Sequence, residues 1–265
     1  MKKKIKAFLL RNNVYYKLRY SFLFRIYLHF FKAIEIEKEK KEIEFYKSFL
    51  PPCDLIFDIG ANDGHKTEAF LRICRKIVSC EPDKKNFHVL QTRFSYKRKR
   101  VFLENIAVTD TRGKSVFHIH HPGSAFNTLS LKWKETLEND NLEKWNEKIK
   151  FSSENIIQTT TLDLLIKKYG TPDFIKIDVE GYEENVLKGL SQPIPFISFE
   201  GLWPEASEEL QACFNRLENL DKTVLYNIAV DEKLLLDSFT NRNGIIDYLE
   251  KEKLTHLEII VKMNR

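Results

Sequence analysis

Between Asp58 and Gly64 the chain reads DIGANDG, two glycines spaced G-x-x-x-G with two carboxylates, Asp58 and Asp63, beside them. Gly60 allows a tight turn with no Cβ in the way, and Gly64 leaves room for a ligand at the start of the next helix. Glu81 follows 21 residues after Gly60, and an acid at that interval can accept both hydroxyls of a ribose. A nicotinamide dinucleotide turn needs G-x-G-x-x-G, and two acids would repel a pyrophosphate. They suit a nucleoside carrying an ammonium and a sulfonium, such as S-adenosylmethionine. The plainer alternative is a tight strand-to-helix turn that holds no ligand.

A second group of acids, Asp178, Glu180 and Glu200, could act on an attacking hydroxyl. Methyl transfer from a sulfonium is an in-line displacement in which that hydroxyl loses its proton. Positioning supplies about 7–11 kcal/mol in the best intramolecular cases, and a general base adds about 10²–10⁴-fold. Asp178 and Glu180 present both carboxylates to one side if the strand extends through Val179. Asp178 is then placed to bridge the cofactor's methionine end and the acceptor hydroxyl. Glu180 becomes the base or a second acceptor anchor, and Glu200 a third carboxylate at the same rim. Helix capping and the positive end of a helix dipole give Asp178 and Glu180 a non-catalytic alternative. Three such acids could also hold Mg²⁺.

His118, His120 and His121 form a histidine cluster without a cysteine or acid at zinc-ligand spacing. A strand edge is the plain reading, and a histidine general base the sharper one. The stretch Pro122–Trp133 (PGSAFNTLSLKW) occupies the place of an acceptor lid, with Phe126 and Trp133 able to stack on sugar faces. Cys53, Cys74, Cys80 and Cys213 show no C-x-x-C pair and read as ordinary thiols of a reducing cytosol.

These residues must be positioned by strands and helices in alternation. Strands are expected over Leu55–Ile59, Lys76–Cys80, Val101–Val108, Ser115–Ile119, Phe174–Val179, Phe196–Phe199, Val224–Val230 and Leu257–Met263. Helices are expected over His65–Cys74, Asp83–Phe94 (capped by Asp83), Leu162–Tyr169, Glu183–Leu190, Ser207–Leu220 and near 244–253. Residues 121–158 read as polar and irregular, with a charged helical stretch near 131–149. Such alternation gives an α/β protein with a mostly parallel sheet covered on both faces, whose ligands sit at the carboxyl ends of the strands.

On six stretches the chain resembles the FkbM family of S-adenosylmethionine-dependent methyltransferases: Phe57–Thr67, Ser79–Asp83, Asn105–Gly113, Thr160–Leu165, Phe174–Gly189 (FIKIDVEGYEENVLKG) and Ile197–Gly201. The pairing of DIGANxG with KIDVEGYE is the specific part. The resemblance implies a Rossmann-like class I methyltransferase fold, a seven-stranded mostly parallel sheet with an antiparallel last strand. It implies S-adenosylmethionine as cofactor, with Asp58, Gly60, Ala61, Asn62 and Gly64 forming the cofactor loop. Glu81 would bind the ribose, and Asn105 and Ala107 would lie along the adenine. It implies O-methylation, commonly on sugars of glycans, glycolipids or glycosylated natural products, and it does not demand a metal.

The remaining sequence is an appendage. The formal net charge is +5, yet residues 1–32 carry +9 with no Asp or Glu, leaving −4 on the rest. An apolar content of 43% excludes a largely disordered chain. The arm is aromatic as well as basic, and its apolar runs are too short for a signal peptide or a span of about 20 residues. It is expected either to pack as a helix or helical hairpin on the domain, or to lie on an anionic membrane surface. Stacking on nucleic acid is a third reading. The charged run 35–47 reads as a solvated helix ended by Pro51-Pro52. The division expected is a basic aromatic helical arm over 1–50 and a methyltransferase domain over 51–265. The enzyme would be cytoplasmic or peripheral at the inner face of the membrane. A nucleic-acid methyltransferase should carry an N-P-P-[YF] motif or a cysteine nucleophile in a fixed motif, and neither is present. A catalytically inactive cofactor-binding scaffold is the non-enzymatic alternative.

Overall fold

The run CDLIFDI (Cys53–Ile59) is buried along nearly all its length, as befits a strand covered on both faces, and the sheet is built outward from it. A computed structural model describes residues 15–20, 33–139, 149–204 and 206–264. The first elements are α1 (Tyr15–Arg19), α2 (Ala33–Phe49), β1 (Cys53–Ile59), α3 (His65–Phe70), β2 (Cys74–Cys80) and α4 (Lys84–Arg93). There follow β3 (Val101–Glu104), β4 (Ala107–Val108), β5 (Gly113–Ile119), α5 (Leu131–Asn139), β6 (Ser153–Thr160) and α6 (Leu162–Tyr169). The last are β7 (Phe174–Ile177), α7 (Glu183–Lys188), β8 (Phe196–Leu202), α8 (Ser207–Leu220), β9 (Leu225–Val230), β10 (Lys233–Leu234), α9 (Arg242–Glu252) and β11 (His256–Lys262).

The main sheet runs β10-β9-β11-β8-β7-β1-β2-β3. Strands β3, β2, β1, β7 and β8 pair in parallel. The last strand, β11, inserts antiparallel between β8 and β9. The expected seven strands are all present, and the hairpin strand β10 adds an eighth at the edge. Alternate side chains along the strands supply two cores. Phe57, Ile175 and Phe199 pack with Leu187 and Phe214 on one face. Ile56, Phe174 and Ile260 pack with Tyr46, Phe70 and Phe94 on the other.

Three local departures from the sequence reading matter for the site. The single strand expected over Val101–Val108 divides in two, because the Asn105 amide donates to the carbonyls of Glu81 (2.8 Å) and Pro82 (3.1 Å) and turns the chain. β3 stays in the main sheet, while β4 joins a small sheet of order β4-β6-β5. Strand β6 lies in the stretch read as irregular, paired antiparallel with β5. Helix α2, read as solvated, buries Glu42, Phe45 and Tyr46, residues that share one face at i, i+3 and i+4. Tyr46 packs 4.8 Å from the Phe70 ring, and Glu42 pairs with Lys66 at 2.7 Å. The charged stretch near 131–149 is helical over α5, and residues 140–148 lie outside the described residues. Among the described residues, no helix is long and apolar enough to cross a membrane.

Candidate active site

The carboxyl ends of β1, β2, β7 and β8 converge on the glycine loop. Gly60 has φ +83°, and its N–H donates to the Cys80 carbonyl at 3.0 Å, as does that of Ala61. A Cβ on Gly60 would stand 1.7 Å from the Asp178 carbonyl oxygen. Only glycine therefore lets the exits of β1 and β7 cross this closely. Gly64 also has a positive φ of 82°, but the room beside it is filled by Leu90 and Phe94, each 2.6 Å from a Cβ placed there. That glycine admits helix α4, where a ligand was expected from sequence.

Asp58 is buried and accepts a short hydrogen bond from the Thr67 hydroxyl. Burial pushes its pKa up to about 6, against the pull of Thr67 and Lys176. Glu81 receives the Asn62 N–H at 2.8 Å on one oxygen and the Asp83 N–H at 2.7 Å on the other. Burial raises it to about 8 despite these two bonds. A carboxylate has about four lone-pair sites, so Glu81 retains acceptor capacity for a diol.

Asp83 caps α4 as expected, accepting from the amides of Lys85 (2.8 Å) and Asn86 (2.9 Å). Its second oxygen accepts from the Gly123 N–H at 3.1 Å and the Asn127 amide at 3.0 Å. One side chain thus starts a helix and fastens the loop that covers the site.

A cavity of about 190 Å³ lies against this loop. Gly60, Asn62 and Glu81 form one wall, and Ile106, Ala107 and Val108 form an apolar slot. The Asn105 side chain, expected along an adenine, is instead the backbone tie between β2 and β3. Asp178, Glu180 and Glu200 line the same cavity. β7 ends at Ile177, and Glu180 has φ +56°, so the two acids do not alternate along an extended strand. A tight turn brings them together, held by the Glu183 carboxylate, which accepts from the amides of Val179 (3.2 Å) and Gly181 (3.3 Å).

The cluster is electrostatically loaded. Burial, followed by the charges of Asp178, Glu200 and Glu183, holds Glu180 well above the ordinary carboxylate range, and the Trp133 indole opposes this. Glu200 is raised by burial and by Asp178, with Lys176 and His256 opposing. Glu183 is pushed up to about 7, chiefly by burial. In their midst lies Lys176, a buried cation 3.4 Å from Asp178 and 3.7 Å from Glu258. Its pKa is raised because these carboxylates outweigh its desolvation. Lys176, Glu183 and the loop-fastening role of Asp83 are the parts that sequence reasoning missed. The signal for Lys176 was a lysine inside an apolar buried strand, FIKI, where lysine is almost never fully buried unless paired.

A second cavity of about 530 Å³ adjoins the first, walled by Phe126, Trp133, Tyr182, Phe199 and Leu210. Ala125, Glu180 and Glu200 line both cavities. The stretch expected as an acceptor lid therefore does border this space. The histidine cluster is committed elsewhere. His118 pairs with Glu154 at 3.0 Å, and His120 shares a 2.9 Å hydrogen bond with Ser124. Among the described residues, no group of three or more His, Cys, Asp or Glu could hold a metal ion.

Residues 58–220 match the methyltransferase FkbM domain. The chain belongs to this family. The sequence implies S-adenosylmethionine as the cofactor. The site residues fit that molecule: Glu81 offers acceptors to a ribose diol, the Ile106–Val108 slot an apolar berth to a purine, and Asp58 and Asp178 negative charge to an ammonium and a sulfonium.

Among solved structures, the FkbM methyltransferase of Methylobacillus flagellatus KT is similar at 15% identity and a TM-score of 0.49, over 83% of this chain and 47% of that chain. The chain thus spans about half the length of that relative. The precorrin-6y C5,15-methyltransferase of Geobacter metallireducens GS-15 is similar at 8% identity and a TM-score of 0.44, over 86% of this chain and 87% of that one. An rRNA methylase of Streptococcus thermophilus is similar at 9% identity and a TM-score of 0.40, over 84% and 94%. No curated protein matches the chain.

Proposed function

We propose that the protein is an O-methyltransferase whose acceptor is a hydroxyl of a sugar, in a glycan, a glycolipid or a glycosylated natural product. The observation that carries this reading is the placement of Glu180 and Glu200 on the wall common to the two cavities. A hydroxyl entering from the larger cavity meets these carboxylates where it must lose its proton. Bound S-adenosylmethionine supplies an electrophilic methyl on a sulfonium. Glu81 accepts the ribose hydroxyls, and the Ile106–Val108 slot flanks the base. Asp178 orients the acceptor hydroxyl and faces the positive charge. Glu180 takes the hydroxyl proton as the oxygen attacks, and it releases its own proton more readily beside a bound cation. Glu200 anchors a second acceptor hydroxyl. Phe126, Trp133 and Tyr182 offer ring faces to the apolar side of a sugar.

Calorimetric titration of the full chain with S-adenosylmethionine tests the cofactor half. No heat from folded protein, or undiminished affinity in Glu81→Ala, would remove this assignment. For the chemistry, Asp178→Ala should abolish transfer of a labelled methyl to sugar acceptors while holding cofactor affinity within about tenfold, about 1.4 kcal/mol. Wild-type turnover by that variant would exclude Asp178 from the reaction.

A further inference from the structure

A third cavity, of about 750 Å³, opens from the glycine loop and is roofed by the arm. Tyr15, Tyr16, Arg19 and Tyr20 of the arm face Asp58 and Asp63 across it. It shares Gly60, Asn62, Asn86 and Asp178 with the central cavity, and none of its lining with the acceptor cavity. The arm is seated by the Tyr20 ring, 4.9 Å from the Arg93 guanidinium. Arg93 in turn donates to the Asp63 carbonyl at 3.0 Å and pairs with its carboxylate at 3.6 Å. The roof is therefore attached to the cofactor loop itself. It also lies outside the family match, which begins at residue 58.

Four basic side chains line this space, and three are committed. Lys66 pairs with Glu42 at 2.7 Å, His65 with Glu42 at 3.1 Å, and Lys85 donates to the Pro122 carbonyl at 2.8 Å. Arg19 reaches the Tyr15 hydroxyl at 3.4 Å and also interacts with the Tyr20 hydroxyl, but among the described residues it has no carboxylate partner. A space with acids on one wall and, on the other, a guanidinium bonded to neutral hydroxyls alone among the described residues complements a zwitterion. We propose that the arm closes the amino-acid end of the cofactor site, Arg19 receiving the methionine carboxylate while Asp58 and Asp178 face its ammonium. This rests on the cofactor reading above. A guanidinium fork matches a carboxylate in bidentate geometry.

The test compares two probes on the full chain: S-adenosylhomocysteine, which carries the amino-acid end, and 5′-methylthioadenosine, which lacks it. In calorimetric titration Arg19→Ala should weaken S-adenosylhomocysteine about 10- to 100-fold and leave 5′-methylthioadenosine unchanged. Arg19→Lys should recover part of the loss. Equal effects on both probes, or no effect on either, would overturn the assignment of Arg19. Wild-type protein that binds neither probe would instead fail the cofactor reading, and the proposal with it. Removal of residues 1–32 should reproduce the selective loss.

Discussion

The Lys176 ammonium lies 3.4 Å from the Asp178 carboxylate, inside a strand whose other residues are apolar. Its other partner, Glu258, comes from the antiparallel last strand. The cation therefore joins the acidic turn after β7 to β11, and offsets a site that otherwise gathers Asp58, Asp178 and Glu200. Breaking a buried pair by removing one partner leaves an uncompensated charge and costs about 3–5 kcal/mol. Lys176→Met should lower the unfolding free energy by about this amount in urea denaturation. Where the variant stays folded, Glu200 should titrate at higher pH, because the cation that opposes its burial is gone. A variant as stable as the wild type would show that this pair contributes nothing net.

Glu81 makes the ligand-free fold sensitive to alkali. Its carboxyl sits near 8 in the folded chain, against an ordinary value of 4.5. Below 4.5 both states hold the proton. Between 4.5 and 8 the unfolded chain releases it and the folded one does not. The stability contributed by the neutral carboxyl is thus full at low pH and lost as pH rises through that window. The unfolding free energy of the wild type should fall relative to Glu81→Gln across this range, with the difference levelling above it. Parallel pH dependences for the two proteins would refute the argument.

If Glu180 takes the acceptor proton, Glu180→Gln should lose about 10²–10⁴-fold in kcat while binding S-adenosylhomocysteine as the wild type does. Wild-type kcat should rise with pH through one ionisation placed above the ordinary carboxylate range, since burial and three neighbouring acids raise this group. The same ionisation persisting in Glu180→Gln would transfer the role to Glu200.

Much of this architecture was legible in the chain because its determinants are local. The alternation of buried runs with capped helices, the glycine turn and Asp83 as a cap all lie within a few residues of what they control. The parts that escaped depend on distant partners. β6 carries an exposed Ile156 and little apolar alternation, so only its pairing with β5 makes it a strand. Lys176 looks out of place until β11 brings Glu258 beside it. Gly64 invites a ligand in the sequence, whereas Leu90 of α4 and Phe94 just after it fill the space. Glu180 turns away from strand alternation because Glu183 collects the amides of the turn.

The two loop glycines should respond differently to a methyl group. At Gly60 the added Cβ meets backbone at 1.7 Å, with φ at +83°. At Gly64 it meets the ends of Leu and Phe side chains, which can shift. Overpacking costs about 1–3 kcal/mol where neighbours can move, so Gly64→Ala should yield folded protein with a lowered Tm. Gly60→Ala cannot be accommodated without parting β1 from β7, and should yield no cooperative thermal transition. A folded Gly60→Ala protein that binds S-adenosylhomocysteine normally would contradict the close approach on which the site is built.

Asp83 offers a way to separate the helix from the loop that covers the site. One oxygen caps α4 through Lys85 and Asn86, while the other holds Gly123 and Asn127. In Asp83→Asn the remaining carbonyl oxygen can still serve the cap, but the new NH₂ group faces two donors and can accept from neither. Asp83→Ala removes both functions, the cap alone being worth about 0.5–2 kcal/mol. Amide hydrogen exchange should therefore show loss of protection around Gly123 in both variants, with α4 deprotected only in Asp83→Ala. Since Ala125 and Phe126 line the cavity proposed for the acceptor, Asp83→Asn should also raise KM for the acceptor more than it alters the affinity for S-adenosylhomocysteine. Equal protection of Gly123 in the wild type and Asp83→Asn would mean that the loop is held by other contacts, and that the carboxylate serves the helix alone.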